Sequence, residues 1–212
     1  MRIDLKNVSK IVKVKGEDRK ILDKINLSIK DEENIFITGP SGSGKSTLLK
    51  ILGLLDSDFR GDYLIDGKNI KDYSNKDLRL IKRNKIAFIF QEYVLLEEES
   101  LIDNLRFLSD DLEKIREVAE VTELSDYLDI EVYKLSGGQR QRCAIARALA
   151  SDCEILFADE AFNSLDEALY TKILTYIKKS QIKNFILVSH QESLKEYFDF
   201  TSIRLEDARR VN

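Results

Sequence analysis

Nine consecutive residues carry the strongest chemical signal in the chain: Gly39-Pro40-Ser41-Gly42-Ser43-Gly44-Lys45-Ser46-Thr47. They follow a short apolar run at 35–38 and open a helical run at 48–55, the strand–loop–helix setting of a phosphate-binding P-loop. Glycines let backbone N–H groups turn inward around phosphate oxygens, and the helix N-terminus adds its positive dipole. Lys45 is positioned to reach the β- and γ-phosphates of a nucleotide, and the Ser46 hydroxyl to ligate Mg²⁺. A second run, Ile155-Leu156-Phe157-Ala158-Asp159-Glu160, ends four apolar residues in two acids. Asp159 suits a metal-holding carboxylate and Glu160 a group that polarises an attacking water. Such a run alone is a common strand end; beside a P-loop it gains meaning.

A third segment, Leu135-Ser136-Gly137-Gly138-Gln139-Arg140-Gln141-Arg142, places two glycines after a serine at the start of an Arg-rich helix. That makes a second anion-facing helix N-terminus. One bound nucleotide does not need two such sites from one chain, whereas two copies arranged head to tail would use both. These residues resemble the LSGGQ signature of the ABC ATPase family, and the resemblance extends over nearly the whole chain.

The resemblance implies a fold and a set of roles. The fold is α/β: a P-loop NTPase core with a mostly parallel sheet, an N-terminal antiparallel β subdomain and an inserted helical subdomain. Residues of about 1–91 and 150–212 form the ATP-binding core, and about 92–149 the helical part that carries the signature. Ser136, Gly137, Gly138 and Gln139 of one subunit cap the γ-phosphate held by the other subunit's P-loop. Gln91 matches a glutamine that touches Mg²⁺ and signals to a membrane partner. Ser164-Leu165-Asp166 matches a loop that crosses the dimer seam, with Asp166 near the nucleotide. His190, the only histidine of the chain, matches a switch residue that steadies the γ-phosphate and the water.

Wording around the motifs is similar to the bacterial lipoprotein-release and macrolide-export group, which also holds a cell-division ATPase and antimicrobial-peptide exporters. The implied function is an ATP-hydrolysing subunit that dimerises around two MgATP and drives an integral membrane permease. The alternative is a non-transport ATPase coupled to a membrane partner, as in cell division. Three positions depart from the family pattern. Val12 stands where an aromatic normally stacks on adenine, Ala161 where a proline follows the catalytic glutamate, and Ala208 where a glycine is usual. Residues 1–34 contain no aromatic side chain, so discrimination between ATP and GTP should be weak.

These residues need positioning by a folded frame, which the rest of the 212 residues can provide. Apolar runs at 35–38, 86–90, 155–158 and 185–189 read as strands buried on both faces, separated by helical patterns. The segments 3–8, 22–29 and 62–65 alternate apolar and polar residues like half-buried antiparallel strands, and Asp66-Gly67 supplies a hairpin turn. From 92 to 150 helical spacing dominates, at 101–108, Leu112–Val121 and Gly137–Ala150. A net charge of −4 argues against a dedicated nucleic-acid binder. No apolar stretch is long enough to span a bilayer, and the start lacks a signal-peptide pattern, so a cytosolic subunit docked at the inner membrane face is expected. Cys143 and Cys153 lack metal-ligand spacing and read as ordinary thiols. Glu97, Glu98 and Glu99 read as a solvated turn, and the basic cluster at 79–85 as the solvated face of a helix.

Overall fold

The computed structural model describes residues 1–205; Ala208 lies outside them. Two sheets divide the strands. The first is antiparallel and joins β1 (Ile3–Val14), β2 (Glu17–Ile29), β4 (Arg60–Ile65) and β5 (Lys68–Asn69) in the order β2-β1-β4-β5. The second is parallel and joins β3 (Asn34–Thr38), β6 (Ile86–Ile89), β7 (Ile155–Asp159), β8 (Asn184–Val188) and β9 (Phe200–Arg204) in the order β6-β7-β8-β3-β9. Six α-helices accompany them: α1 (Lys45–Leu52), α2 (Asn75–Lys85), α3 (Leu101–Arg106), α4 (Leu112–Val121), α5 (Gly137–Ala150) and α6 (Glu167–Lys179). Between residues 92 and 150 the described chain forms helices and turns, with one isolated bridge between Ser100 and Glu131.

Strand alternation explains how one sheet serves two cores. Ile35, Ile37, Ile155, Phe157, Ile186 and Val188 face α1 and the antiparallel sheet. Phe36, Leu156, Ala158, Phe185 and Leu187 point the other way, into an apolar cluster built with α3, α4, α5 and α6. Successive side chains of a strand project to opposite faces, so continuous apolar runs satisfy both clusters. Both cysteines are buried and free, and burial pushes the Cys143 thiol up to about 12, which keeps it protonated and inert.

Two elements differ from the sequence expectation. The first hairpin is longer: β1 and β2 continue past the expected ends and close at Lys15-Gly16, both with positive φ (52° and 86°), between paired Val14 and Glu17. That is the φ pattern of a tight hairpin turn, as at Asp66-Gly67 (49° and 82°). The second is β9, an edge strand with a largely exposed face that carries no clear apolar alternation.

Tyr63 couples the sheets. Its side chain is fully buried on β4 and its hydroxyl donates to the Leu52 carbonyl at the end of α1, at 2.6 Å. Burial pushes the phenol far above its usual range, so it remains a donor. Tyr63→Phe should cost about 1 kcal/mol, seen as a melting temperature lower by roughly 3 °C. An unchanged melt would mean that the Leu52 carbonyl is satisfied otherwise.

Candidate nucleotide-binding site

Four adjacent parallel strands, in the order β6-β7-β8-β3, end along one sheet edge. Gln91 follows β6, Asp159 and Glu160 close β7, His190 follows β8, and the glycine-rich loop follows β3. Ligands of open α/β sheets settle at this carboxyl edge. A cleft of about 380 Å³ opens there, lined by Ser41, Gly42 and the start of α1 on one side and by Gln91 and Glu160 on another. A third wall comes from β2, through Arg19 and Ile21.

The loop is held open for an anion. Gly39 has φ +145°, and a Cβ there would lie 2.1 Å from the Leu205 carbonyl oxygen. Gly44, at φ +95°, precedes α1 without a side-chain cap, and the first turn contains no acid. By contrast α2 to α6 are each capped, by Ser74, Ser100, Asp111, Ser136 and Asp166. The first bond of α1 runs from Leu48 N–H to the Gly44 carbonyl at 2.8 Å, so the amides of Lys45, Ser46 and Thr47 precede the intrahelical ladder. Lys45 is buried, and its ammonium donates to the carbonyls of Gly39 (2.9 Å) and Pro40 (3.0 Å). Ser43 Oγ is buried with no hydrogen-bond partner. Positive dipole, free amides, a cation and an orphaned hydroxyl together complement a phosphate chain.

The carboxylates have distinct surroundings. Asp159 is buried, and burial raises its pKa; a hydrogen bond with Ser46 opposes the rise and the neighbouring Glu160 charge adds to it. Its Oδ1 has no hydrogen-bond partner. One hydroxyl and one buried carboxylate with a spare oxygen fit Mg²⁺, which typically takes one or two carboxylates and completes its shell with phosphates and water. Among the described residues no cluster of three or more His, Cys, Asp or Glu could hold a metal without such help.

Glu160 adopts a left-handed conformation, φ 51°, anchored by its N–H to the Val188 carbonyl at 2.9 Å. A non-glycine residue held there marks local strain that its surroundings sustain. Its Oε1 lies 3.5 Å from His190 Nε2, and its Oε2 accepts from Asn163 Nδ2 at 3.3 Å. Asn163 in turn accepts from Ser189 Oγ at 3.3 Å. Asn163 and Ser189 belong to no phosphate or metal motif, so nothing in the local pattern marked them as positioning residues. Also unanticipated is Gln141, buried on α5, whose Nε2 donates to the Ala161 carbonyl at 2.6 Å while its Oε1 accepts from Ser164. That pair ties the signature helix to the loop after Glu160, and Ala161, a departure from the family's usual proline, supplies the carbonyl.

Gly39, Pro40, Asp159 and His190 do not line the cleft but contact Lys45, Ser46 or Glu160, which do, and Ser43 lies within the loop between lining residues. Three further groups of sequence candidates lie away from the cleft. Ser136, Gly137, Gly138 and Gln139 open α5, where Ser136 and Gln139 form a reciprocal capping box: Ser136 Oγ accepts from the Gln139 amide at 3.3 Å, and Gln139 Oε1 from the Ser136 amide at 2.8 Å. Asp166 caps α6, its Oδ1 accepting from the Leu169 amide at 2.9 Å. Val12 is half-buried on β1 and does not line the cleft; Arg19, its cross-strand partner, does.

The family model described as ABC transporter matches residues 22–163, from β2 through the catalytic-looking carboxylates to Asn163. The chain belongs to the ABC transporter family. Among relatives, the uncharacterized ABC transporter ATP-binding protein MJ1508 of Methanocaldococcus jannaschii is 37% identical, covering 99% of this chain and 97% of the relative. The lipoprotein-releasing system ATP-binding protein LolD of Aquifex aeolicus is 37% identical over 97% and 94% of the two chains. The chain spans about half the length of the methionine import ATP-binding proteins that it also matches. Among solved structures, the dimeric post-hydrolysis state of the cassette MJ0796, bound to ADP and Pi, superposes with a TM-score of 0.87 at 34% identity, covering 99% and 97%. The fold is that of an ABC ATPase, and the chain is an ATP-hydrolysing ABC subunit. The similarity to the lipoprotein-release group expected from the motif wording is present.

Proposed function

We propose that two copies of this chain close head to tail around two MgATP and drive an integral membrane permease. The observation that carries this reading is the pair of glycine-opened helix N-termini, of which α1 faces the cleft and α5 lies outside it. A head-to-tail partner would bring its Ser136, Gly137, Gly138 and Gln139 over the γ-phosphate. In this reading residues of about 1–91 and 150–212 form the ATP-binding core, and about 92–149 the lobe that swings the signature.

Lys45 and the amides of Gly44 to Thr47 bind the phosphate chain. Ser46, Asp159 and Gln91 would hold Mg²⁺, which neutralises charge on the β- and γ-phosphates when bound. Glu160 accepts a hydrogen bond from the attacking water and draws its proton; Asn163 and the strained backbone fix the direction of that carboxylate. His190, beside it, steadies the water and the γ-phosphate. Asp166 sits at the dimer seam. Loss of the γ-phosphate removes what bridges the halves, and the dimer opens.

Exposed apolar side chains follow Gln91 in the chain, Val94 and Leu96, and two more, Phe107 and Leu108, follow α3. The exposure of Val94 and Leu96 so soon after Gln91 in the chain supports docking of the permease there, and so a peripheral position at the cytoplasmic membrane face. Among the described residues no helix is long and apolar enough to cross a membrane.

The capping box also bears on dimer affinity. The box satisfies the amides of Ser136 and Gln139 and leaves those of Gly137 and Gly138 for a phosphate, so the interface gains its anion contact only when nucleotide arrives. The subunit should therefore sediment as a monomer without ATP. A tight nucleotide-free dimer would overturn this reading of the interface.

A further inference from the structure

Phosphate recognition accounts for only one wall of the cleft. The wall formed by β2 has no partner in the sequence motifs, and it contains a cation. Arg19 lines the cleft beside Ile21, and its guanidinium has no hydrogen bond or ion pair among the described residues. Lys20 pairs with Asp23 at 2.9 Å and Lys10 with Asp56 at 3.0 Å, while Lys13 and Lys15, which also have no hydrogen bond or ion pair among the described residues, do not line the cleft. Resting on the reading of this cleft as a nucleotide site, we propose that Arg19 stacks on the purine and is the residue that binds the base.

Local geometry favours the base over the phosphates. A β-bulge places Ile21 as the extra residue between the pairs Lys10–Leu22 and Ile11–Lys20. It presses β2 against the start of α1: a Cβ on Gly44 would lie 2.9 Å from both the Ile21 carbonyl oxygen and Leu22 Cδ2. The phosphate cradle thus abuts β2 at Ile21. Arg19 lies two residues farther toward the hairpin tip, where the nucleoside end of a ligand anchored at Lys45 must extend. Its pair across the hairpin is Val12, so an apolar side chain stands beside the guanidinium on the same sheet face. A planar, weakly hydrated guanidinium covers an aromatic face well, whereas no ring is available from residues 1–34. Stacking of this kind accepts adenine and guanine alike, because every base presents a π-face.

Calorimetric titration of three probes, MgATP, MgGTP and magnesium tripolyphosphate, separates base from phosphate contacts. Arg19→Ala should weaken both nucleotides by about fivefold and leave tripolyphosphate unchanged. Arg19→Tyr, which restores a flat stacking surface, should recover ATP affinity. Equal weakening of tripolyphosphate would assign Arg19 to the phosphates, and no change with any probe would remove it from the site; either result overturns the proposal. Lys45→Ala should lose all three probes. If it bound them all as tightly as the wild type, the nucleotide-site reading itself would fail, whatever Arg19 does.

Discussion

Glu160→Gln should lower ATP turnover by about 100- to 10,000-fold while leaving nucleotide binding intact. The substitution keeps the shape of the side chain and can keep the Asn163 contact at 3.3 Å, yet an amide cannot draw a proton from water. Backbone geometry is preserved as well, since glutamine meets the same left-handed φ of 51° at no greater cost than glutamate. With the γ-phosphate retained, both helix N-termini keep their anion, and the variant should elute as an ATP-dependent dimer in gel filtration. Hydrolysis at the wild-type rate would remove Glu160 from the mechanism. Loss of ATP binding together with turnover would assign it to holding the nucleotide.

Gly39→Ala should be the most damaging single methyl group in the cleft. At φ +145° an alanine is strained, and its Cβ would stand 2.1 Å from the Leu205 carbonyl oxygen. That carbonyl is backbone and is fixed nearby by the Leu205 N–H bond to Thr38 at 2.8 Å. Relief therefore requires the loop or the end of β9 to move, at about 3 kcal/mol or more, which corresponds to a melting temperature lower by roughly 10 °C. Moving the loop also displaces the Gly39 carbonyl that orients Lys45, so ATP affinity should fall in the same variant. Gly137→Ala is the contrast, because nothing lies within 4 Å of a Cβ at that position; its melt should match the wild type. A wild-type melt for Gly39→Ala would show that the chain at Leu205 yields without cost.

What the sequence disclosed, and what it hid, follows from the range of each interaction. The strand cores β3, β6, β7 and β8 were legible because burial on both faces demands unbroken apolar runs. The loop from Gly39 to Thr47 was legible because backbone contact with phosphate permits few residue types. β9 was not, because an edge strand with an exposed face needs no apolar alternation. The extra length of β1 and β2 was hidden by a Lys15-Gly16 turn, in which lysine adopts a positive φ usually given to asparagine or glycine. Arg19 was invisible for a different reason: its significance comes from a bulge and a cross-strand pair, neither of which a local pattern encodes. The same holds for Gln141, whose partners Ala161 and Ser164 lie in another element. The capping box of Ser136 and Gln139 was readable from spacing alone, yet the glycines between them drew the whole interpretation toward phosphate.

In the proposed dimer each working site is shared between two chains, and mixing two disabled variants tests that sharing most directly. Lys45→Ala removes the phosphate grip but leaves the signature intact. Gly138→Glu leaves the P-loop intact and places a carboxylate where the partner's γ-phosphate would sit; open space around Gly138 lets that chain fold. Each variant alone should be inactive. Mixed, they form dimers in which one site joins an intact Lys45 to an intact signature, so ATP hydrolysis should reappear. A mixture of folded variants that stays as inactive as its components would contradict the shared site.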